Sequence, residues 1–162
     1  MFLIRNLRPQ EASFLKEMLF KAIFVPPGEP ALPASICDHP DLLKYHQNWG
    51  QEGDFALLAL VEKQAVGAAW YRLHSPENAG YGFVAANIPE INIALMPAYR
   101  GQGIGSALLD VLIKSAQEDG FPALSLSVDL RNPAKHLYLR KGFVERETQG
   151  DSMKMVLAFP IS

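Results

Sequence analysis

Cysteine is nearly absent from this 162-residue chain: Cys37 stands alone, so no internal disulfide can form and a reducing, cytoplasmic setting is expected. Long apolar runs are missing too. None approaches the ~20 residues needed to cross a bilayer, and the opening "MFLIRNLRPQEASF" lacks the basic segment and long apolar core of a secretory signal. No membrane partner is expected. Nor is there an excess of positive charge: 15 Lys and Arg against 17 Asp and Glu leave a net charge of −2, which argues against a nucleic-acid partner. Histidine is scarce, and His39, His46, His74 and His136 never pair at i,i+4. Cys37-Asp38-His39 has no further ligands at zinc spacing, so no metal is expected. Repeats and low-complexity segments are lacking as well.

What is present reads as one mixed α/β domain over residues 1–162. "FLIRNL" alternates like a short strand, and from Pro9 the spacing of Phe14, Leu15, Met18, Leu19, Ala22 and Ile23 predicts a helix. Prolines 26, 27, 30, 33 and 40 then exclude regular structure, making residues 25–39 a long loop. Residues 41–49 are expected to form a short helix with Pro40 in its first turn. "FALLALV" and "AVGAAWYRL" flank Glu62-Lys63-Gln64 and predict a hairpin. "EINIALM" is a strand with Ile91, Ile93 and Leu95 on one face and Glu90, Asn92, Ala94 and Met96 on the other. A helix follows, its apolar stripe read as Ile104, Leu108, Val111 and Leu112, with Gly120 as its stop. "ALSLSV" is a strand and "NPAKHLYLRKG" a short helix with Asn132 as N-cap, Pro133 in the first position and Gly142 past its end. "FVERE" and "SMKMVLAF" close the chain as a hairpin across Gln149-Gly150.

The most informative stretch is "MPAYRGQGIGSALLDVLI", where Gly101, Gly103 and Gly105 run into a helix. A nucleotide P-loop would need a lysine after its last glycine, but Gly105 is followed by Ser106 and Ala107. A dinucleotide Gly-x-Gly-x-x-Gly pattern fails from either start, ending on Ser106 or Leu108. What remains is Arg-x-x-Gly-x-Gly, from Arg100 to Gly105, between a strand and a helix. Free N–H groups and the positive dipole end of the helix suit a pyrophosphate, glycines allow it close, and Arg100 adds charge.

This stretch resembles the coenzyme-A-binding motif of the GNAT superfamily of N-acetyltransferases. A second, independent match lies downstream in "SLSVDLRNPAKHLYLRKGF". Asn132, Ala134, Tyr138, Gly142 and Phe143 follow the family's pattern, one residue shorter between Asn132 and Ala134. The resemblance implies a mixed, mostly antiparallel sheet of about seven strands with four helices, splayed between the fourth and fifth strands. It implies acetyl-CoA as co-substrate, with its pyrophosphate on the backbone of Arg100, Gly101, Gln102, Gly103, Ile104, Gly105 and Ser106. The pantetheine arm would lie beside Leu95 and its neighbours and contact Asn132. Tyr138 occupies the family's general-acid position, and Glu90 is the candidate general base for a primary amine of a small molecule or peptide. Arg140 and Lys141 are read as a solvated helix end rather than a phosphate contact. The acceptor walls are expected from the proline-rich loop, Tyr45, His46 and Trp49 after it, and the loop carrying Tyr81 and Phe83. A homodimer is consistent with the resemblance, and a non-catalytic acyl-CoA-binding module is the alternative to an enzyme.

Overall fold

Seven strands form one sheet in the computed structural model, which describes residues 1–160. They are β1 (Leu3–Asn6), β2 (Phe55–Val61), β3 (Gln64–Arg72), β4 (Glu90–Leu95), β5 (Ala123–Asp129), β6 (Val144–Gln149) and β7 (Ser152–Ala158). Four α-helices join them: α1 (Ser13–Ala22), α2 (Pro40–Leu43), α3 (Ile104–Glu118) and α4 (Ala134–Arg140). The strand order is β1-β2-β3-β4-β5-β7-β6, and every neighbouring pair is antiparallel except β4 and β5. Those two run parallel and touch at a single register pair, Glu90 opposite Ser125, before diverging. The expected mixed sheet with a splay between the fourth and fifth strands is therefore present. Residues 161–162, the end of the single-domain reading, lie outside the described residues.

The period-2 alternation of the central strands sends side chains into two cores. Leu57, Ala69, Tyr71 and Ile91 pack beneath α3, against Ile104, Leu108 and Leu112. Leu58, Ala68, Trp70 and Ala94 pack on the opposite face, against Leu15, Met18 and Leu19 of α1, with Cys37 and Tyr45. Both faces of β3 are covered, so its residues from Val66 to Arg72 are all buried.

Three helices differ from the sequence reading. Val111 is 38% exposed, and Leu109 is buried in its place, with Ala116 continuing the face. At 100° per residue the buried arc centres on Leu112, and Val111 falls on its margin. The helix expected over 41–49 stops at Leu43 and continues as turns. Its later carbonyls are diverted: Arg72 donates from Nη1 to Lys44 O (3.0 Å) and Gln47 O (2.7 Å). Arg72 is itself buried and holds Asp54 through two bonds of 3.0 and 2.6 Å. The proline-rich loop contains one turn of 3-10 helix, Ala34–Asp38. Helix α4 starts at Ala134, one residue later than expected for a Pro133 start, yet Asn132 Oδ1 still accepts the Ala134 N–H (3.0 Å).

Candidate active site

The divergence of β4 from β5 leaves a strip of backbone without a partner strand. Met96 N–H donates to Val66 O (2.8 Å), so the even-numbered residues of β4 bond to β3. By alternation, the N–H groups of Ile93 and Leu95 point the other way, into the splay. At its narrow end Ser125 N–H closes onto Pro89 O (3.0 Å). Leu95 thus lies on a stretch of β4 edge without a partner strand.

The glycine-rich turn lies just beyond. Gly103 precedes α3 with φ of +84°, and Gly101 has φ of +75°, both in the left-handed region that favours glycine. Two glycines are thus demanded by the turn itself. Added β-carbons at either would meet nothing within 4 Å, so the space in front of the turn is open. The first bond of the helix is Ala107 N–H to Gly103 O (3.1 Å), and no side chain caps this end. The N–H groups of Gly103, Ile104, Gly105 and Ser106 therefore have no acceptor within the helix. Gln102 Nε2 donates to Ala98 O (3.2 Å), and Arg100 is exposed and reaches Lys21 O at the end of α1 (3.3 Å). Lys141 is engaged elsewhere, 2.8 Å from Asp110 on α3.

Glu90 is buried, with 3% of its surface exposed. Its Oε2 accepts the Tyr45 hydroxyl (2.7 Å) and the Gly82 N–H (3.1 Å). Tyr45 Oη in turn accepts the Tyr81 N–H (2.7 Å), and Trp70 Nε1 donates to Tyr45 O (3.0 Å), pinning that residue from below. Burial pushes the Glu90 carboxyl up to about 7, against the pull of its two hydrogen bonds. Its second oxygen, Oε1, is enclosed and unpartnered, with His74 Nε2 at 3.8 Å. Desolvation, helped by Arg72 and Lys44, pushes His74 down to about 4.

The loop 79–83 closes over this carboxyl because it carries glycines. A β-carbon on Gly80 would collide with Glu90 and stand 2.6 Å from Tyr45 Oη, and one on Gly82 would stand 2.5 Å from the Leu126 carbonyl carbon. Periodicity did not point to Tyr45 as Glu90's partner, nor to His74. The local signal was the glycine pair around Tyr81. Of the other wall candidates, His46 contacts Cys37 O (2.9 Å), Trp49 lies under Arg72 (4.9 Å) and Tyr81 is 56% exposed.

Tyr138 sits on α4, on the α3 side of the sheet, with Phe143 at 6.0 Å between ring centres. Burial alone pushes its hydroxyl up to about 12. A cavity of about 410 Å³ passes through the splay and is lined by both Glu90 and Tyr138, with Asn92, Asn132 and Ser127 between. Its outer wall comes from Ile23, Leu32 and Leu42. The gap between β4 and β5 thus brings residues from opposite faces of the sheet to one space.

A sequence profile described as the acetyltransferase (GNAT) family matches residues 22–143. The chain is 30% identical over 92 residues to the mycothiol acetyltransferase of Streptomyces coelicolor, covering 56% of this chain and 27% of that protein. It is 44% identical over 54 residues to the [ribosomal protein bS18]-alanine N-acetyltransferase of Haemophilus influenzae, covering 33% of this chain and 37% of that one. The matched regions therefore span about a third of these curated relatives. The structure also superposes on the PaiA N-acetyltransferase of Thermoplasma acidophilum, solved in complex with coenzyme A, with a TM-score of 0.69, 19% identity, and coverage of 98% of this chain and 99% of that one.

Proposed function

The chain belongs to the acetyltransferase (GNAT) family, and from that premise we propose that it moves an acetyl group from acetyl-CoA to a primary amine of a small molecule or peptide by direct attack. One observation carries the reading: the cavity through the splay is lined at once by a buried carboxyl and a half-buried phenol, Glu90 and Tyr138. The acyl-CoA fit rests on the open anion cradle before α3 and the unpaired edge of β4. Acetyl-CoA supplies an acetyl group activated as a thioester.

The chain's own residues divide the remaining work. The N–H groups from Gly103 to Ser106 hold the pyrophosphate, with Arg100 free to turn toward it. The N–H groups of Ile93 and Leu95 hold the extended amide arm in the manner of a missing strand. Glu90 takes a proton from the acceptor ammonium, which must be neutral to attack. Tyr138, protonated at neutral pH, returns a proton to the departing sulfur.

The two curated relatives carry unlike names, one of mycothiol and one of a ribosomal-protein alanine, so the acceptor stays at the level of a primary amine. Thiol release from acetyl-CoA across a panel of primary amines, including an alanine-initiated peptide, tests the proposal. Acceptor-dependent release is expected, rising with pH through about 7 as Glu90 ionises. Glu90→Gln should remove that limb and lower turnover ~100-fold or more. Coenzyme A binding with no acceptor-dependent release would identify a non-catalytic acyl-CoA-binding module instead.

A further inference from the structure

Glu90 is satisfied on one side only. Oε2 takes two hydrogen bonds, while Oε1 is enclosed without any. Facing it is His74 Nε2, also enclosed and also without a partner, 3.8 Å away. Leaving a buried polar atom without a partner is costly, so two such atoms facing one another call for a common explanation. The His74 side chain is 4% exposed, and its ring meets Tyr45 edge-on at 5.3 Å. Gly80 closes the remaining approach, since even a β-carbon there would strike Oε1.

We propose that His74 is a positioning residue: neutral, with its ring proton on Nδ1, it offers Nε2 to the proton that the protonated Glu90 carboxyl holds on Oε1. The inference rests on Glu90 acting as the base. The balance is simple. An N–H bond of the acceptor ammonium breaks, an O–H bond forms on the Glu90 carboxyl, and with that proton on Oε1 the O–H donates to Nε2 after a closure of about 1 Å. His74 neither gains nor loses a proton. Its neutrality is maintained by its surroundings: Arg72 and Lys44 face it, with Asp54 opposing them, while Lys44, Lys154 and Tyr45 face Glu90. Lys44 is itself tied to Ala79 O (2.7 Å), and Arg72 to Asp54. The proton taken from the amine is thus given a defined direction, away from the newly freed nitrogen.

Nitrogen-15 NMR of the histidine ring, followed from about pH 5 to 9, tests this in the whole protein. His74 is expected as the Nδ1–H tautomer throughout, with an Nε2 shift that inflects near 7, where Glu90 titrates. That inflection should vanish in Glu90→Gln. In His74→Gln, an amide donor replaces the acceptor and favours the carboxylate, so the acid limb of kcat/KM should move down by about one pH unit. A flat Nε2 shift in the wild type overturns the proposal, as does an unmoved limb in a His74→Gln protein that still binds coenzyme A. Wild-type turnover in Glu90→Gln would sink the base reading itself. Lost turnover there with a flat His74 would sink only the role of the histidine.

Discussion

Tyr138 and Glu90 share one cause and diverge in consequence. Burial penalises the charged form of each, holding the phenol protonated at neutral pH and bringing the carboxyl to the edge of ionisation. Tyr138→Phe removes a proton donor while keeping the ring that packs on Phe143. Turnover should fall by ~100-fold or more with coenzyme A affinity nearly unchanged, and undiminished turnover would remove Tyr138 as the acid. For Glu90 the same burial makes a stability statement. Its native pKa is raised, so the native state keeps a proton that the unfolded chain has already released. That stabilisation is complete below about 4.5 and is lost as pH rises through about 7, an effect on the order of a few kcal/mol. Glu90→Gln escapes the loss. Its melting temperature should therefore gain on the wild type as pH rises from acidic to alkaline, and a pH-independent difference would contradict the burial argument. The raised carboxyl pKa thus comes at a cost in stability.

Among the elements, α3 allows two roles of glycine to be separated. Gly103 and Gly120 lie at its two ends, both with φ of +84° and both with open space at the β-carbon. Alanine at either should cost a similar ~1–2 kcal/mol, the penalty of left-handed backbone for a residue with a β-carbon. Only Gly103→Ala should weaken coenzyme A binding, tenfold or more, because only that end presents free N–H groups. Equal affinity in the two variants, measured by calorimetry, would sink the cradle. Legibility in sequence follows the same local logic. The strands and α3 were readable to within a residue or so, since alternation and 3.6-residue spacing are properties of neighbours. Val111 was misplaced because a stripe three positions wide does not reveal the centre of its own arc. The stop of α2 was hidden because Arg72, almost thirty residues downstream, captures the carbonyls of Lys44 and Gln47 just beyond it.

Across the whole molecule, the two motifs that could be read are each built from residues close together in the chain. The surroundings of Glu90 could not be read, because Tyr45 arrives from 45 residues earlier and His74 from the far side of a loop. Only the sheet, by placing the end of β3 beside the start of β4, makes these residues neighbours. The single β4–β5 register pair then takes on a mechanical meaning. Strands β1 to β4 and strands β5 to β7 are two panels joined at one stitch, and an extended ligand lying along Ile93 and Leu95 would sew the seam. Amide exchange at Ile93 and Leu95 should be fast in the free protein and slow with coenzyme A. The melting temperature should climb with ligand concentration by mass action. Protection confined to the α3 turn would mean that the panels are not joined in this way. If they are, the donor is also a brace, and each release of product returns the sheet to its slacker form.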